Sequence, residues 1–271
     1  MRSGWRCIDH PPAGAAWNMA VDEAVLLSAL DGRSDPTIRF FQWEKPSITF
    51  GYMLDLNKEL NIGLCRDRDV PFIRRITGGG VVFHGCDITF SIVFPKDLAP
   101  DTSSPLGSYR FINEIFLHVF GRLGFEASLL AQDNGRGKSR DDSRNVCFVE
   151  PTTYDVLYGG RKLVGNAQRR RKSWVLNHGS MLFDMGYQEM ADLIAAENAS
   201  KLFSENCVSL NEISPKIKRA DVIEAFIAEL SDGLGVTVNM GELSDNELTT
   251  ADHLATGKYS TQDWNFRRRV P

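Results

Sequence analysis

The stretch that decides the fold covers residues 74–91 and reads RRITGGGVVFHGCDITFS. Its three successive glycines, Gly78, Gly79 and Gly80, carry no side chains, so a carbonyl, carboxylate or phosphate group can approach their backbone amides closely. The stretch is neither a P-loop nor a dinucleotide-binding fingerprint, because the glycine spacing differs and the P-loop lysine is missing. Taken alone, the glycines also fit a plain hairpin turn, and both interpretations are open at this point.

Charged side chains lie on both sides of these glycines. Arg74 and Arg75 precede them and would place positive charge beside a ligand bound at the turn. His84 follows, at the end of the next apolar run. It is either a site residue or a histidine whose hydrogen bonds are satisfied within a hairpin.

A second segment of interest covers residues 147–182 and reads CFVEPTTYDVLYGGRKLVGNAQRRRKSWVLNHGSML. Cys147 follows the polar, glycine-containing run Ala131–Asn145, which can bury little surface and is predicted to be a mobile loop. Exposure and a nearby cation such as Arg144 lower the pKa of a thiol below its free value of about 8.5 and make it nucleophilic. The alternative is an inert cysteine buried in a loop.

Lys162 follows a Gly-Gly hairpin signal and precedes three small residues, Gly165, Asn166 and Ala167. A lysine flanked by small residues can reach into a cleft and donate a hydrogen bond to an acyl carbonyl oxygen. The alternative is a solvated lysine on a strand.

Two further features of this segment have open interpretations. The basic run Arg169–Lys172 either meets an acidic partner and speeds docking, or forms a solvated turn. His178 is either a site residue or a core histidine, and no neighbouring residue decides between the two.

Hydrophobic periodicity and turn signals predict an α+β fold. We predict helices at Met19–Leu30, capped by Asn18, at Ser108–Leu123 and around residues 222–230, with a capping box at Ser244 and Glu247. The predicted strands are Ile38–Trp43, Ser47–Tyr52, Phe72–Arg75, Ile88–Phe94, Tyr154–Tyr158, Arg161–Val164 and Trp174–Phe183. We therefore expect a mixed β-sheet covered by helices in one domain of residues 1–271, with a small helical C-terminal subdomain at residues 185–271.

Composition narrows the class of protein. The chain has 271 residues, 42% of them hydrophobic, and a net charge of -4, which argues against a nucleic-acid partner because such binders are usually strongly basic. No apolar run approaches the roughly 18 residues of a membrane span, and the N-terminus lacks a signal-peptide pattern, so we expect a cytoplasmic protein without membrane contact. The five cysteines are widely spaced with no CxxC pair, which argues against a disulfide framework and against a metal site.

Together these segments resemble the superfamily of lipoate–protein ligases, lipoyl(octanoyl)transferases and biotin–protein ligases. The resemblance is spread along most of the chain, over WNMAVDEAV (Trp17–Val25), FFQWEKPSITFGY (Phe40–Tyr52), RRITGGGVVFH (Arg74–His84) and GRKLVGNAQRR (Gly160–Arg170). The third stretch is similar to an Arg-Arg-x-Ser/Thr-Gly-Gly-Gly acyl-pocket motif, and the fourth to the segment that carries the superfamily's lysine, here Lys162. The resemblance implies the biotin/lipoate protein ligase-like catalytic domain, with the acyl chain in a tunnel beside the glycines.

Within the superfamily, the chain is most similar to LipM-type octanoyltransferases. A Cys-Phe pair at Cys147, followed by proline, by tyrosine with an acidic residue and by Gly-Arg-Lys, is similar to theirs, as is the run HLATGKYSTQDWNFRRR (His253–Arg269). Lipoate ligases more usually have Asn-Asp-Leu where this chain has Thr-Tyr-Asp at 153–155. Two details depart from the LipM pattern: the intact triple glycine is ligase-like, and HGCD (His84–Asp87) differs from the commoner His-Asp-x-Gly.

The resemblance implies a two-step acyl transfer in which Cys147 carries the acyl group and Lys162 polarises the carbonyl. The donor would be octanoyl-acyl carrier protein, and the acceptor a lysine of a lipoyl domain, such as that of the glycine cleavage H protein or of a 2-oxoacid dehydrogenase E2. Because a thioester is already activated, we expect no cofactor. The residues implied to bind the acyl substrate are Arg74, Arg75, Thr77, Gly78, Gly79, Gly80, His84, Gly165, Asn166 and Ala167.

Two alternatives differ in chemistry. An ATP-dependent lipoate–protein ligase would use ATP and Mg²⁺ and bind lipoyl-adenylate at Lys162 and the glycines, with Cys147 incidental. A non-catalytic acyl-binding subunit would keep the fold and hold an acyl ligand without transferring it. Lipoate-dependent ATP–pyrophosphate exchange distinguishes the ligase from the transferase.

Overall fold

The computed structural model describes residues 4–131, 152–195 and 199–270. The strands are Gly4–Asp9 (β1), Thr37–Phe41 (β2), Ser47–Phe50 (β3), Phe72–Arg74 (β4), Val81–His84 (β5), Asp87–Pro95 (β6), Ser128–Leu129 (β7), Val156–Tyr158 (β8), Arg161–Arg171 (β9), Trp174–Leu182 (β10) and Thr237–Met240 (β11). The α-helices are Ala15–Leu30 (α1), Leu56–Glu59 (α2), Ile62–Asp67 (α3), Pro105–Arg122 (α4), Ala199–Asn206 (α5), Leu210–Ile213 (α6), Arg219–Leu234 (α7), Asp245–Leu254 (α8) and Gln262–Arg267 (α9). The predicted nucleophile Cys147 and almost all of the predicted loop at residues 131–145 lie outside the described residues.

Two sheets organise the chain. In the described residues the larger sheet has the strand order β11-β1-β2-β6-β10-β9-β8-β7, and the smaller has the order β4-β3-β5. At the centre of the larger sheet, β10 pairs antiparallel with both β6 and β9, so that Gly179 lies between Phe90 and Asn166. Long antiparallel pairings of this kind hold the side chains of β9 and β10 in a fixed register.

The core follows from the alternation of side chains along the strands. On β6, Ile88, Phe90, Ile92 and Phe94 are buried on one face, where they pack in one cluster with residues of α4 and α7. The other face is covered by α1, which packs against α8. Although α1 is buried on nearly every side, neither it nor any other helix in the described ranges is long and apolar enough to cross a membrane.

The predicted α+β fold is confirmed, with a mixed sheet covered by helices. The predicted strands are present, with ends that differ from the prediction by at most a few residues except at the end of β9, and the helices predicted from Ser108 and around residue 222 are α4 and α7. The predicted capping box is also present, because Ser244 Oγ accepts the Glu247 amide and Glu247 Oε2 accepts the Ser244 amide at 2.9 Å.

The predicted start of α1 is wrong. The helix begins at Ala15 with Gly14 as its N-cap, and Asn18 lies inside the helix and is fully buried. Its side-chain amide donates to the carbonyls of Ala13 and Gln42 at 3.1 and 2.9 Å. Asn18 therefore does not cap the helix. It bonds α1 to the segment before the helix and to the residue after β2, a tertiary role that local sequence pattern does not reveal.

Two strands differ from the sequence analysis: β11 was not predicted, and β9 is longer than predicted. Beyond residue 185 the chain is largely helical, but β11, which was not predicted, pairs in parallel with β1 at the edge of the large sheet. Strand β9 continues past the predicted end at Val164 to Arg171, so most of the basic run Arg169–Lys172 is strand rather than turn. Only Lys172, with a φ of 47°, adopts the left-handed conformation of the tight turn into β10.

Candidate active site

A cleft opens where α1, the smaller sheet and the β9–β10 pair meet. Its empty volume is about 420 Å³, the open mouth included. The residues that line it are Met19, Thr49, Arg75, Val82, His84, Thr89, Lys162, Gly165, Asn166, Ala167, His178, Gly179 and Ser180. Its walls thus come from segments that are far apart in sequence.

The cleft brings together part of the site predicted from the sequence. The predicted residues that line it are Arg75, His84, Lys162, Gly165, Asn166 and Ala167, and they are joined by His178. Arg74, Thr77 and the three glycines are not among the lining residues, although Thr77 bonds to His178. Substrate binding by these residues stays a prediction.

The two adjacent arginines of the motif contact different parts of the protein. Successive strand residues point to opposite sides, and Arg74 points away from the cleft. Its buried guanidinium donates to the carbonyls of Tyr52 and Leu54 at 2.5 and 3.0 Å, and to that of Asn265 in α9 at 2.8 Å. Arg74 therefore fastens the C-terminal helix α9 and the chain after β3 onto β4.

Arg75 holds the glycine turn from the cleft side. Its guanidinium donates to the carbonyls of Gly78 and Gly80 at 2.8 and 3.0 Å and to the hydroxyls of Thr49 and Thr77 at 3.0 and 3.3 Å. The side chain is buried, so these acceptors lie where water cannot replace the guanidinium. Arg75 thereby fixes the shape of the turn against the smaller sheet.

Gly51 packs against the Gly78–Gly80 turn, and its contacts are with the turn's backbone. A Cβ atom added to Gly51 would lie 1.8 Å from the Gly79 carbonyl oxygen and 2.9 Å from the Gly78 carbonyl carbon. The close approach of two backbone segments explains why the chain has glycine here as well as in the motif.

We expect Gly51→Ala to lower the free energy of unfolding by about 2–3 kcal/mol, because the turn must shift to admit the methyl group. Acyl binding should weaken with it. Gly121→Ala is the matched control, since its added Cβ meets nothing within 4 Å and it lies in α4, where alanine is favoured. Urea unfolding measures both, and equal stability of the two variants would contradict the close packing at Gly51.

One hydrogen-bonded chain leads from the Arg75 guanidinium through Thr49 to His84. The Thr49 hydroxyl lies 2.8 Å from His84 Nε2, and His84 Nδ1 lies 2.8 Å from Asp87 Oδ2. The His84 ring also stacks on Trp43 with centroids 4.2 Å apart. His84 is therefore a buried, fully partnered histidine that supports Thr49 behind Arg75.

A second chain leads from Arg75 through Thr77 to His178. The Thr77 hydroxyl lies 2.7 Å from His178 Nε2, and His178 Nδ1 lies 2.8 Å from Asp22 Oδ2. Asp22 in turn accepts a hydrogen bond from the buried Arg39 at 2.9 Å. Each of the two histidines thus lies between a threonine bound to Arg75 and an aspartate.

The protonation of His178 follows from its partners. The Asp22 carboxylate only accepts, so Nδ1 of His178 carries a proton. Burial lowers the pKa of His178, against the hydrogen bond and charge of Asp22, which raise it. The neutral ring then accepts the Thr77 hydroxyl at Nε2, and that hydroxyl oxygen is left to accept Arg75. His178 therefore orients Arg75 through Thr77, and the lone pair on its Nε2 already accepts the hydrogen bond from the Thr77 hydroxyl.

These acidic and imidazole groups pair with each other rather than converge on one point. In residues 4–131, 152–195 and 199–270, no group of three or more His, Cys, Asp or Glu side chains is placed to hold a metal ion.

Lys162 is buried at the cleft, with a side chain only 4% exposed. Its ammonium lies 2.6 Å from the fully buried Asp155 carboxylate. Asp155 also accepts hydrogen bonds from the Tyr109 hydroxyl and from the Thr152 amide, the latter at 2.6 Å. The solvated-lysine alternative is thus wrong: the ammonium is a fixed, desolvated cation held by a carboxylate that is itself held in place.

Small residues allow β9 and β10 to approach closely in the wall beside Lys162. A Cβ atom added to Gly179 would lie 2.3 Å from the Gly165 carbonyl oxygen. In the same wall, and counting partners only among the described residues, the buried Ser180 Oγ and Asn166 Oδ1 atoms have no hydrogen-bond partner. Buried polar atoms are normally paired, so these two atoms are exceptions in the wall of the cleft.

Several cleft residues were not identified by the sequence analysis. Thr49, Thr89 and Ser180 are ordinary strand residues in sequence and become site residues only through the register of β3, β6 and β10. Asp155 had a local signal, since an acidic residue shortly before Gly-Arg-Lys belongs to the recognised pattern, but its pairing with Lys162 was not predicted.

The sequence model of the lipoyl protein ligase A/B catalytic domain matches residues 14–231. Two relatives match over nearly their whole lengths. Octanoyltransferase LipM of Brevibacillus brevis is 34% identical, with 97% of this chain and 99% of the relative covered. Octanoyltransferase LipM of Bacillus subtilis is 32% identical, with 97% and 98% covered.

Solved structures agree with this result. Lipoate-protein ligase A bound with ATP superposes with a TM-score of 0.77 at 25% identity, covering 98% of this chain and 99% of that chain. The bi-partite lipoate protein ligase of Thermoplasma acidophilum superposes with a TM-score of 0.80 at 23% identity over the whole of both chains, which shows the shared fold.

The chain therefore belongs to the lipoyl protein ligase A/B catalytic-domain family. The two relatives that match in sequence over nearly their whole lengths are octanoyltransferases, and the protein is an acyltransferase of this kind, acting in protein lipoylation.

Proposed function

We propose that the protein takes an octanoyl group from octanoyl-acyl carrier protein onto Cys147 and passes it to a lysine of a lipoyl domain. The observation that carries the proposal is Lys162, a buried cation held by Asp155 at the wall of the cleft. A desolvated ammonium stabilises the negative charge that develops on a carbonyl oxygen during acyl transfer.

Each step of the transfer forms one bond to the acyl carbon and breaks another. The Cys147 thiolate attacks the donor carbonyl, a new C–S bond forms, the donor C–S bond breaks, and the carrier leaves as its thiolate. The neutral amine of the acceptor lysine then attacks the Cys147 thioester, an amide C–N bond forms, the Cys147 C–S bond breaks, and the cysteine leaves as thiolate while the proton lost by the amine passes to solvent. Both steps pass through an oxyanion, which Lys162 stabilises. Since the donor thioester is already activated, the transfer as proposed consumes no ATP and uses no metal.

The other cysteines support the choice of Cys147 as nucleophile. Burial raises the pKa of Cys7 and of Cys207 to about 12, and it raises the pKa of Cys65. All three side chains are buried, so none forms a thiolate readily near neutral pH. Cys147 lies five residues before Thr152 in sequence, and Thr152 bonds to Asp155, the partner of Lys162.

Intact-protein mass spectrometry after incubation with octanoyl-acyl carrier protein tests the proposal. We expect an octanoyl adduct that hydroxylamine removes, and its disappearance in Cys147→Ala. Cys86→Ala is the matched control, because Cys86 is the one cysteine among the described residues that is not fully buried, and it should keep the adduct. An adduct that persists in Cys147→Ala, or a wild-type enzyme that forms none but catalyses lipoate-dependent ATP–pyrophosphate exchange, would rule the proposal out.

A further inference from the structure

A second cavity lies next to the acyl cleft. Its empty volume is about 500 Å³, open mouth included, and its walls include Arg169, Arg171 and Lys258. The two cavities are neighbours on two elements at once. On α1, Met19 lines the cleft and Glu23, one helical turn later, lines the second cavity; on β9, Ala167 and Arg169 do the same on one face of the strand.

The second cavity has an excess of positive charge. The Lys258 ammonium is 2.6 Å from Glu23 Oε2, which the Tyr259 hydroxyl also contacts at 2.7 Å, so this pair is neutral overall. Arg169 and Arg171 are exposed, and within the described part of the chain no hydrogen bond or ion pair joins either of them to a carboxylate. Counted over the described residues, these two positive charges are uncompensated in a protein whose net charge is -4.

The three cations line the same cavity, so they can act on one ligand. Burial lowers the pKa of Lys258, against Glu23, which raises it, and the charges of Arg171 and Arg169 lower it further. Aromatic rings hold two of the cations in place. The Lys258 ammonium lies 4.0 Å from the centroid of the Trp264 ring, and the Arg169 guanidinium 6.0 Å from that of Tyr52.

We propose that this cavity binds the phosphodiester of a phosphopantetheine-linked acyl donor while the acyl chain occupies the cleft. The proposal rests on the proposed function and adds to it the place where the donor's arm is held. A pantetheine arm is an extended chain with the thioester at one end and the phosphate at the other, so it needs two adjacent sites of different character. A cleft that contains the Lys162 ammonium, beside a cavity that presents two exposed guanidinium groups, provides two such sites, because arginine binds phosphate oxygens through paired N–H donors.

Two synthetic donors that differ only in the phosphate test this. Octanoyl-pantetheine and octanoyl-4′-phosphopantetheine are compared as donors to a lipoyl domain with the full-length enzyme, and kcat/KM is measured for each. In wild type the phosphate should raise kcat/KM by about tenfold, the gain expected of a charge-assisted contact. In the double variant Arg169→Gln/Arg171→Gln, the ratio of kcat/KM between the phosphorylated and the phosphate-free donor should fall to about one. The phosphate-free donor should still react at the wild-type rate. Arg110→Gln, which neutralises an exposed arginine of α4, should keep the full gain.

Three results would overturn the proposal. These are no gain from the phosphate in wild type, a gain that survives the loss of both arginines, and an equal loss with both donors in the double variant. If instead wild type transfers from neither donor nor from octanoyl-acyl carrier protein, the proposed function itself fails, and the failures are thereby told apart.

Discussion

Replacing Lys162 by alanine should reduce octanoyl transfer by about 10²- to 10³-fold, the usual loss when a group that stabilises an oxyanion is removed. The structure adds a second effect. Breaking a buried ion pair by deleting one partner leaves the other charge uncompensated, which costs about 3–5 kcal/mol of stability. Hydrogen bonds from Thr152 and Tyr109 to Asp155 remain, so we expect a loss at the lower end of that range.

A second variant separates catalysis from folding. Lys162→Met combined with Asp155→Asn removes both charges and should recover most of the stability, because no unpaired ion is left in the core. Its transfer rate should stay as low as that of Lys162→Ala. Lys201→Ala, at a side chain 72% exposed and 3.7 Å from Glu205, is the control and should change neither rate nor stability measurably. Restored transfer in the double variant would show that Lys162 has only a structural role.

Local sequence pattern was sufficient to predict much of the fold. The strands β6 and β10 and the helix α4 have clear apolar periodicity, and each was predicted within a few residues of its observed bounds. The capping box at Ser244 was equally predictable, since both of its residues lie within one turn. Such features depend on neighbours in sequence, which the sequence itself displays.

The candidate site was predictable only in part. The motif identified Arg74 and Arg75 as a pair, but the side chain of Arg74, the last residue of β4, bonds to α9 away from the cleft, and of the two only Arg75 lines the cleft. His84 and His178 likewise had open roles, because the aspartates that orient them were not identified: Asp87 is three residues from His84, whereas Asp22, which pairs with His178, is 156 residues away in sequence. Partners at such separations are set by the register of the sheet and the packing of α1, which no local pattern contains.

The two threonine–histidine–aspartate chains give one explanation for several buried polar residues. Each chain ends on a hydroxyl that accepts from the same Arg75 guanidinium, on Thr49 in one case and on Thr77 in the other. Burying this many polar groups is favourable only if all are paired. Arg75 is thus the common element of a network that fixes the glycine turn at the edge of the cleft.

We therefore expect Arg75→Lys to lower the free energy of unfolding by about 2–4 kcal/mol and to reduce acyl transfer strongly. A single ammonium cannot reach two threonine hydroxyls and two glycine carbonyls that a planar guanidinium spans, so buried acceptors lose their donor. Urea unfolding and transfer rates measure the two effects. Arg66→Lys, at an exposed site in α3, is the matched control and should behave like wild type.

A pair of hydroxyl deletions shows whether the network acts as described. Thr49→Val and Thr77→Val each remove one acceptor of Arg75 together with one partner of a histidine. If both chains act through Arg75, the two deletions will be non-additive in wild type and additive in Arg75→Lys, since contacts that share one partner are coupled. Additive effects in both backgrounds would mean that each threonine stabilises only its own histidine, and the glycine turn would then be held independently of them.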